Sequence, residues 1–185
     1  MKTVFLDRDG VLNFDSGYVG NWSDFIFLPG AINGLKNLIR CNFQIIIVTN
    51  QSGIARGFFT EREYLSLERE IERYLSEKGV PITATYYCPH HIEGSIPEFS
   101  LKCDCRKPLP GMLVKAASDF GINFSEAIMI GDKNSDMQAA EAVGIPSRYF
   151  IDPKMCATEA SYEFSTMRFK SLYDSVDFIT YQNLF

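Results

Sequence analysis

Short apolar runs recur along the chain, separated by stretches whose apolar positions return every three or four residues. Thr3–Leu6, Ile45–Val48, Thr85–Tyr87, Ile128–Ile130 and Arg148–Ile151 read as strands. Several are apolar at successive positions, as strands buried on both faces are. One helical pattern opens near Pro29-Gly30 and ends near Arg40. A longer one runs from Thr60 to about Glu77, with Thr60 as N-cap and Glu63 completing a capping box. Gly79 and Pro81 stop it, and further helices are expected after Pro110 and Asn134. Ser175–Thr180 is expected to form a last strand. Strands alternating with helices predict an α/β fold, a three-layer Rossmann-like sandwich around a central parallel sheet. The 185 residues are expected to form a single domain, 1–185, since a second core would be cramped at this length.

Ligands of such folds sit at the carboxyl ends of the strands. The polar motifs fall there: Asp7 after the first strand, Thr49 after the second, Asp132 after the fourth. Asp7 and Asp9 are spaced i, i+2, so they point to the same side of an extended chain. Two carboxylates that close repel and call for a cation or a shared proton. Mg2+, a hard cation that takes oxygen ligands, answers that need. Asp7 can then attack phosphorus and form an acyl phosphate. Asp9 can protonate the leaving oxygen and afterwards deprotonate water. Gly10 lets the chain turn away. The Thr49 hydroxyl and nearby N–H groups can donate to phosphoryl oxygens. Lys107 can neutralise charge on the transferring group. Asp136, one helical turn beyond Asp132, is expected to hold Lys133 or the metal shell in place. Taken singly, each has a blander reading: a solvated Asp-Arg-Asp turn, a surface lysine, a helix N-cap at Asp132. Their order, each after a strand, favours the chemical one.

Composition narrows the setting. Hydrophobic residues make up 46% and charged residues 22%, ordinary for a soluble globular protein. A net charge of -5 argues against general binding of nucleic acid or an anionic membrane, so a phosphate must be held by a local cluster. The N-terminal apolar run is too short for a signal-peptide core and no aliphatic run could span a bilayer, so a cytoplasmic protein is expected. The cysteines number five, and Cys88, Cys103 and Cys105 lie near His90 and His91. Three thiols and one imidazole are the inventory of a closed structural Zn2+ site. Such a site would staple the irregular segment 89–108. Spacing does not choose between His90 and His91. Cys41 and Cys156 are expected to be ordinary thiols.

The run Asp7-Arg8-Asp9-Gly10-Val11-Leu12-Asn13 resembles the first motif of the haloacid dehalogenase superfamily of phosphatases. Thr49-Asn50-Gln51-Ser52-Gly53, Lys107-Pro108 and Gly131-Asp132-Lys133-Asn134-Ser135-Asp136 resemble the second, third and fourth. Together with Cys88-Pro89-His90-His91 and Cys103-Asp104-Cys105-Arg106-Lys107, they are similar to the subgroup of heptose bisphosphate and histidinol-phosphate phosphatases. The resemblance covers about residues 1–150. It implies no large cap domain, Mg2+ held by Asp7, Asp9 (through its carbonyl) and Asp132, and catalysis by Asp7, Asp9, Thr49 and Lys107. It implies substrate contacts from Asp15, Ser16, Gly17, Tyr18, Asn50, Gln51, Ser52, Arg106 and Lys133. It implies Zn2+ on Cys88, His90, Cys103 and Cys105, which chooses His90.

The implied reaction is hydrolysis of the 7-phosphate of D-glycero-D-manno-heptose 1,7-bisphosphate, through an aspartyl phosphate on Asp7. It would serve the making of ADP- or GDP-heptose for lipopolysaccharide or other surface glycans. A monomer acting on a small sugar phosphate, with no nucleic-acid or membrane partner, is expected. Histidinol phosphate is the second candidate substrate, but a cationic amine should prefer acidic loop residues where this chain has Arg106 and Lys133. A catalytically silent, zinc-stapled binding module would have no need of both Asp7 and Asp9. Beyond residue 151 the resemblance weakens, and Ile151-Asp152-Pro153-Lys154-Met155 replaces a small glycine-containing turn.

Overall fold

The structure, a computed structural model, describes residues 1–182. Six strands form one sheet: β1 (Thr3–Leu6), β2 (Gln44–Asn50), β3 (Ala84–Cys88), β4 (Ala127–Gly131), β5 (Ser147–Ile151) and β6 (Met167–Phe169). The spatial order is β3-β2-β1-β4-β5-β6, and every neighbouring pair is parallel. Helices α1 (Ala31–Arg40), α2 (Glu61–Glu77), α3 (Gly111–Phe120), α4 (Asn134–Ala142), α5 (Glu159–Tyr162) and α6 (Leu172–Gln182) make the connections. The expected three-layer sandwich is the one observed, and no domain is inserted after β1 or β2.

The strand pattern explains the layers. Along β1, Val4 and Leu6 face one side and Phe5 the other, and all are fully buried. Val4 and Leu6 join Ile45 and Ile47 against Leu35 and Leu38 of α1, Leu67, Ile71 and Leu75 of α2, and Val176 and Ile179 of α6. Phe5 joins Ile46, Val48 and Met129 against Met112, Leu113 and Ala116 of α3 and Met137 and Ala140 of α4. A parallel strand between two apolar layers has no wet face, hence the unbroken runs.

The strand expected over Ser175–Thr180 is instead part of α6. Leu172, Val176 and Ile179 are buried at helical spacing, and Ser171 caps the helix by accepting from the Asp174 N–H at 3.1 Å. The sixth strand is β6, which pairs Tyr149↔Met167 and Ile151↔Phe169. Between β5 and α5, Met155 takes the left-handed conformation (φ 52°) that the glycine of the usual turn would supply. The capping box is present at α2: Thr60 N–H donates to Glu63 at 2.7 Å, and Glu63 N–H to the Thr60 hydroxyl at 3.2 Å. Among the described residues no helix is long and apolar enough to cross a membrane.

Candidate active site and metal centre

The chain runs outward from β1 to one sheet edge, then returns to the middle at β4 and continues to the other edge. Adjacent strands that depart in opposite directions leave a crevice at their carboxyl ends. Asp7 enters it directly after β1, its N–H donating to the Ile130 carbonyl at 3.0 Å. Asp132 enters after β4. Gly10 (φ 88°) lets the two approach, since a Cβ there would overlap the Asp132 carboxylate.

Asp7 is nearly buried. Its Oδ1 accepts from the Arg8 N–H at 2.8 Å and meets Lys107 Nζ at 3.0 Å, while no described group donates to Oδ2. Lys107 is fixed on three sides: by Asp7, by Asp136 Oδ1 at 2.6 Å and by the Val48 carbonyl at 2.7 Å. Burial alone would lower its pKa, but the Asp136 and Asp7 carboxylates hold it above the usual lysine value. The expectation for Asp136 is refined here. It grips the Lys107 ammonium and accepts from the main-chain N–H of Lys133 at 3.0 Å. Lys133 itself reaches Asp15 at 3.2 Å across the mouth of the crevice, which joins two expected substrate contacts.

Asp9 is held as a carboxylate. Arg8 Nη2 donates to both its oxygens at 3.1 Å, Asn13 donates at 2.9 Å and Gln51 at 2.8 Å. Burial would raise its pKa; the Arg8 charge and these donors overcome that and keep it low. Arg8 is fully buried, with Phe25 and Tyr64 rings over its guanidinium. Buried Glu68, bonded by the Thr85 hydroxyl at 2.8 Å, supplies a second negative charge near it. Sequence reasoning passed over Arg8, Asn13 and Glu68. The available signal was for Glu68, a charge on the apolar face of α2 among Tyr64, Leu67 and Ile71.

Asn50 and Gln51, both expected to contact substrate, spend hydrogen bonds inside the protein. Asn50 donates to the Lys107 carbonyl at 3.0 Å and accepts from the Lys107 N–H at 3.1 Å. Gln51 links Asp9 to the Thr49 hydroxyl, donating to the latter at 2.9 Å, so Thr49 keeps its own proton for another acceptor. Ser52 is half-buried at the same strand end. Asp15, Ser16, Gly17 and Tyr18 line the exposed rim, where Tyr18 stacks on Phe58 with ring centroids 4.1 Å apart.

The residues at the crevice floor fit a divalent cation. Oxygens of Asp7, Asp132 and Asp136 lie within 4.8 Å of one another, and Asp132 Oδ1 is buried with no hydrogen-bond partner. Burial and the neighbouring Asp7 raise the Asp132 carboxyl to about 8, and burial raises Asp7 to about 6 against the pull of Lys107. Such carboxylates lack sufficient counter-charge, and a cation would supply it. Asp136 already serves Lys107, which leaves Asp7 and Asp132 as the available pair.

The second cluster lies in the segment that connects β3 to α3. Sγ of Cys88, Cys103 and Cys105 and a ring nitrogen of His90 all fall within 4.8 Å of one another. Cys88 Sγ is 3.6 Å from Cys103 and 3.1 Å from Cys105, and His90 Nδ1 is 3.3 Å from Cys105. Tetrahedral ligands on ~2.3 Å metal–sulfur bonds sit roughly 3.8 Å apart, so the cluster could hold a metal with small adjustment. The geometry selects His90. His91 points away and accepts from the Glu93 N–H at 3.1 Å. Beside the cluster opens a groove of about 560 Å³ lined by His91, Glu93, Lys102, Arg106 and Lys107 among others.

A parallel sheet with paired carboxylates, threonine, lysine and a further aspartate at its crevice defines the class of haloacid dehalogenase-like hydrolases, and a HAD-hydrolase-like family model matches residues 104–149. D-glycero-beta-D-manno-heptose-1,7-bisphosphate 7-phosphatase of Yersinia pestis is 47% identical over 82% of this chain and 80% of its own length. The enzyme of that name from Vibrio cholerae is 41% identical over 92% of both chains. The solved structure of D,D-heptose 1,7-bisphosphate phosphatase from B. bronchiseptica, complexed with magnesium and phosphate, superposes with a TM-score of 0.86. It is 29% identical, covering 98% of this chain and 99% of that one. The chain belongs to the D-glycero-D-manno-heptose-1,7-bisphosphate 7-phosphatase family of these hydrolases.

Proposed function

We propose that the protein hydrolyses the 7-phosphate of D-glycero-D-manno-heptose 1,7-bisphosphate, with Asp7 as nucleophile. The observation that carries this is the state of Asp7: one oxygen is clamped by Arg8 and Lys107, and the other is free at the crevice floor. Asp7 Oδ2 attacks phosphorus and the bond to the sugar O7 breaks, leaving an aspartyl phosphate. To act as general acid, Asp9 must turn from Arg8, which holds it as a carboxylate, and take a proton from solvent; it then gives that proton to the leaving alkoxide. Returned to its carboxylate form, it takes a proton from the water that attacks the aspartyl phosphate. Phosphate leaves and Asp7 is regenerated. Thr49 and Lys107 donate to the phosphoryl oxygens throughout.

Mg2+ would be held by the Asp7 and Asp132 carboxylates and the Asp9 carbonyl, supplying neutralising charge at the phosphoryl group. The relative solved with magnesium and phosphate supports magnesium as the cation. Zn2+ would be held by Cys88, His90, Cys103 and Cys105, four protein ligands that leave no open position and so suit a structural metal. Asp15, Ser16, Gly17, Tyr18, Lys133 and Arg106 would meet the sugar and its remote phosphate. The product would feed the making of nucleotide-activated heptose by a cytoplasmic monomer.

Phosphate release in the presence of Mg2+ tests the proposal, with both anomers of the bisphosphate beside histidinol phosphate. The expected result is a large kcat/KM preference for one bisphosphate anomer. A preference for histidinol phosphate would leave the chemistry standing and overturn the substrate.

A further inference from the structure

One cation beside the groove has no role in the reaction as described. Arg56 lies in the turn after β2, and its main chain is stitched to the segment that carries the cysteine–histidine cluster. The Ala55 carbonyl accepts from the N–H groups of Ser95 and Ile96 at 2.8 and 2.9 Å, and the Arg56 carbonyl accepts from the Ser95 hydroxyl at 2.9 Å. Gly94 makes the approach possible, since a Cβ there would lie 2.7 Å from the Ala55 oxygen.

The side chain is aimed at the groove wall. Arg56 Nη2 is 3.3 and 3.2 Å from the two ring nitrogens of His91. A point equidistant from both is reached only over the face of the ring. Arg106 donates to the carbonyl of the preceding residue, His90, at 3.3 Å. Two guanidinium groups therefore contact the His90–His91 dipeptide, and His91, Arg106 and Lys107 line the adjacent groove.

Arg56 lacks adequate partners. Its Nε is buried with no hydrogen bond, and its ion pair with Glu93 is 3.6 Å long, with the side chains 30% and 75% exposed. So loose and wet a pair contributes little and is readily exchanged for a better anion. A phosphate monoester offers three acceptor oxygens and two negative charges, which suits a pair of guanidinium forks better than one carboxylate does.

We propose that Arg56 is the second arm, with Arg106, of the clamp on the phosphate that the enzyme does not hydrolyse, and that Glu93 is the resident counter-ion which that phosphate displaces. This rests on the bisphosphate reading above. Arg56 then determines specificity: it binds the group that separates a sugar bisphosphate from a monophosphate, away from the reacting atoms.

The test is steady-state kinetics of the metal-loaded protein on heptose 1,7-bisphosphate and heptose 7-phosphate, with wild type, Arg56→Gln, Arg56→Lys and Glu93→Gln. Arg56→Gln is expected to lower kcat/KM for the bisphosphate about 10- to 100-fold, mainly through KM, as loss of a charged hydrogen bond does. The loss on the monophosphate is expected to be much smaller, so the ratio between the substrates collapses. Arg56→Lys should recover part of that ratio, and Glu93→Gln should lower KM for the bisphosphate. Equal losses on both substrates would make Arg56 a structural stitch and overturn the proposal. An unchanged ratio in Arg56→Gln, with wild type preferring the bisphosphate, would overturn it while sparing the function. A wild type with no such preference would overturn both.

Discussion

Asp7 and Lys107 form an ion pair that must be strong enough to orient the carboxylate and weak enough to leave it nucleophilic. Asp136 sets that balance by taking a share of the ammonium at 2.6 Å. Asp136→Asn keeps an acceptor for the Lys133 N–H but removes the charge, so Asp7 is left as the anion facing Lys107, with the Val48 carbonyl beside it. Breaking a buried pair typically costs about 3–5 kcal/mol. A stability loss near that size in urea unfolding is expected, with a fall in kcat; an unchanged midpoint would show that Lys107 finds another partner. Asp7→Asn is expected to abolish phosphate release and labelling of the protein by substrate phosphate. Persistent turnover would exclude Asp7 as nucleophile. The reacting groups were legible in the sequence because Asp7 and Asp132 directly follow strands, Thr49 closes one, and Lys107 stands before a proline in a matching motif. Their supports were not. Arg8, given no role of its own, is fully buried on Asp9, while Asn50 and Gln51, expected to contact substrate, also brace Lys107, Asp9 and Thr49. Local spacing gives no information about which side chain faces which across neighbouring strands.

The segment from β3 to α3 has little regular structure, apart from a short 3-10 turn at Pro97–Phe99. It still delivers Arg106 and Lys107 to the crevice. The cysteine–histidine cluster and the hydrogen bonds to Ala55 and Arg56 are what order it. Cys103→Ala is expected to lose bound metal in elemental analysis and to speed amide exchange across residues 89–108. Unchanged metal content would remove Cys103 from the ligand set. The turn after β1 is equally constrained: Gly10→Ala meets both a positive φ and the Asp132 carboxylate, and should cost activity as well as about 1–3 kcal/mol of stability. Wild-type activity in that variant would mean that the two carboxylates need not approach so closely. At the C-terminal end the misread element is instructive. A short apolar stretch fits strand and helix alike, and the Ser171/Asp174 cap was the available signal that α6 begins there.

For the molecule as a whole, the acids at the crevice link stability to metal and pH. Without a cation, Asp7 is raised to about 6 and Asp132 to about 8. Raised carboxyls favour folding most below their unfolded value of 3.8. That contribution is lost as pH rises through the folded values. Mg2+ competes with those protons, so its stabilising effect should grow with pH. Protein freed of Mg2+ by gel filtration is expected to gain more in Tm on adding Mg2+ at about pH 8 than at about pH 5, where protons still occupy both sites. Equal gains at both would place the cation away from these carboxylates.

The sequence by itself determined the layered α/β architecture, because strands covered on both faces must be apolar throughout and the intervening helices must each show one apolar side. It also determined the reaction class, because Asp7, Thr49 and Asp132 stand where strands end and Lys107 completes the set of motifs. The tertiary structure alone decided the rest. It put the reversal of strand order between β1 and β4, which brings Asp7 and Asp132 together. It turned the His90 ring, and not that of His91, to the three thiols, and it brought Arg56 to the His91 ring and Arg106 to the His90 carbonyl. Those outcomes depend on contacts between segments far apart in the chain, fixed only when the whole core packs.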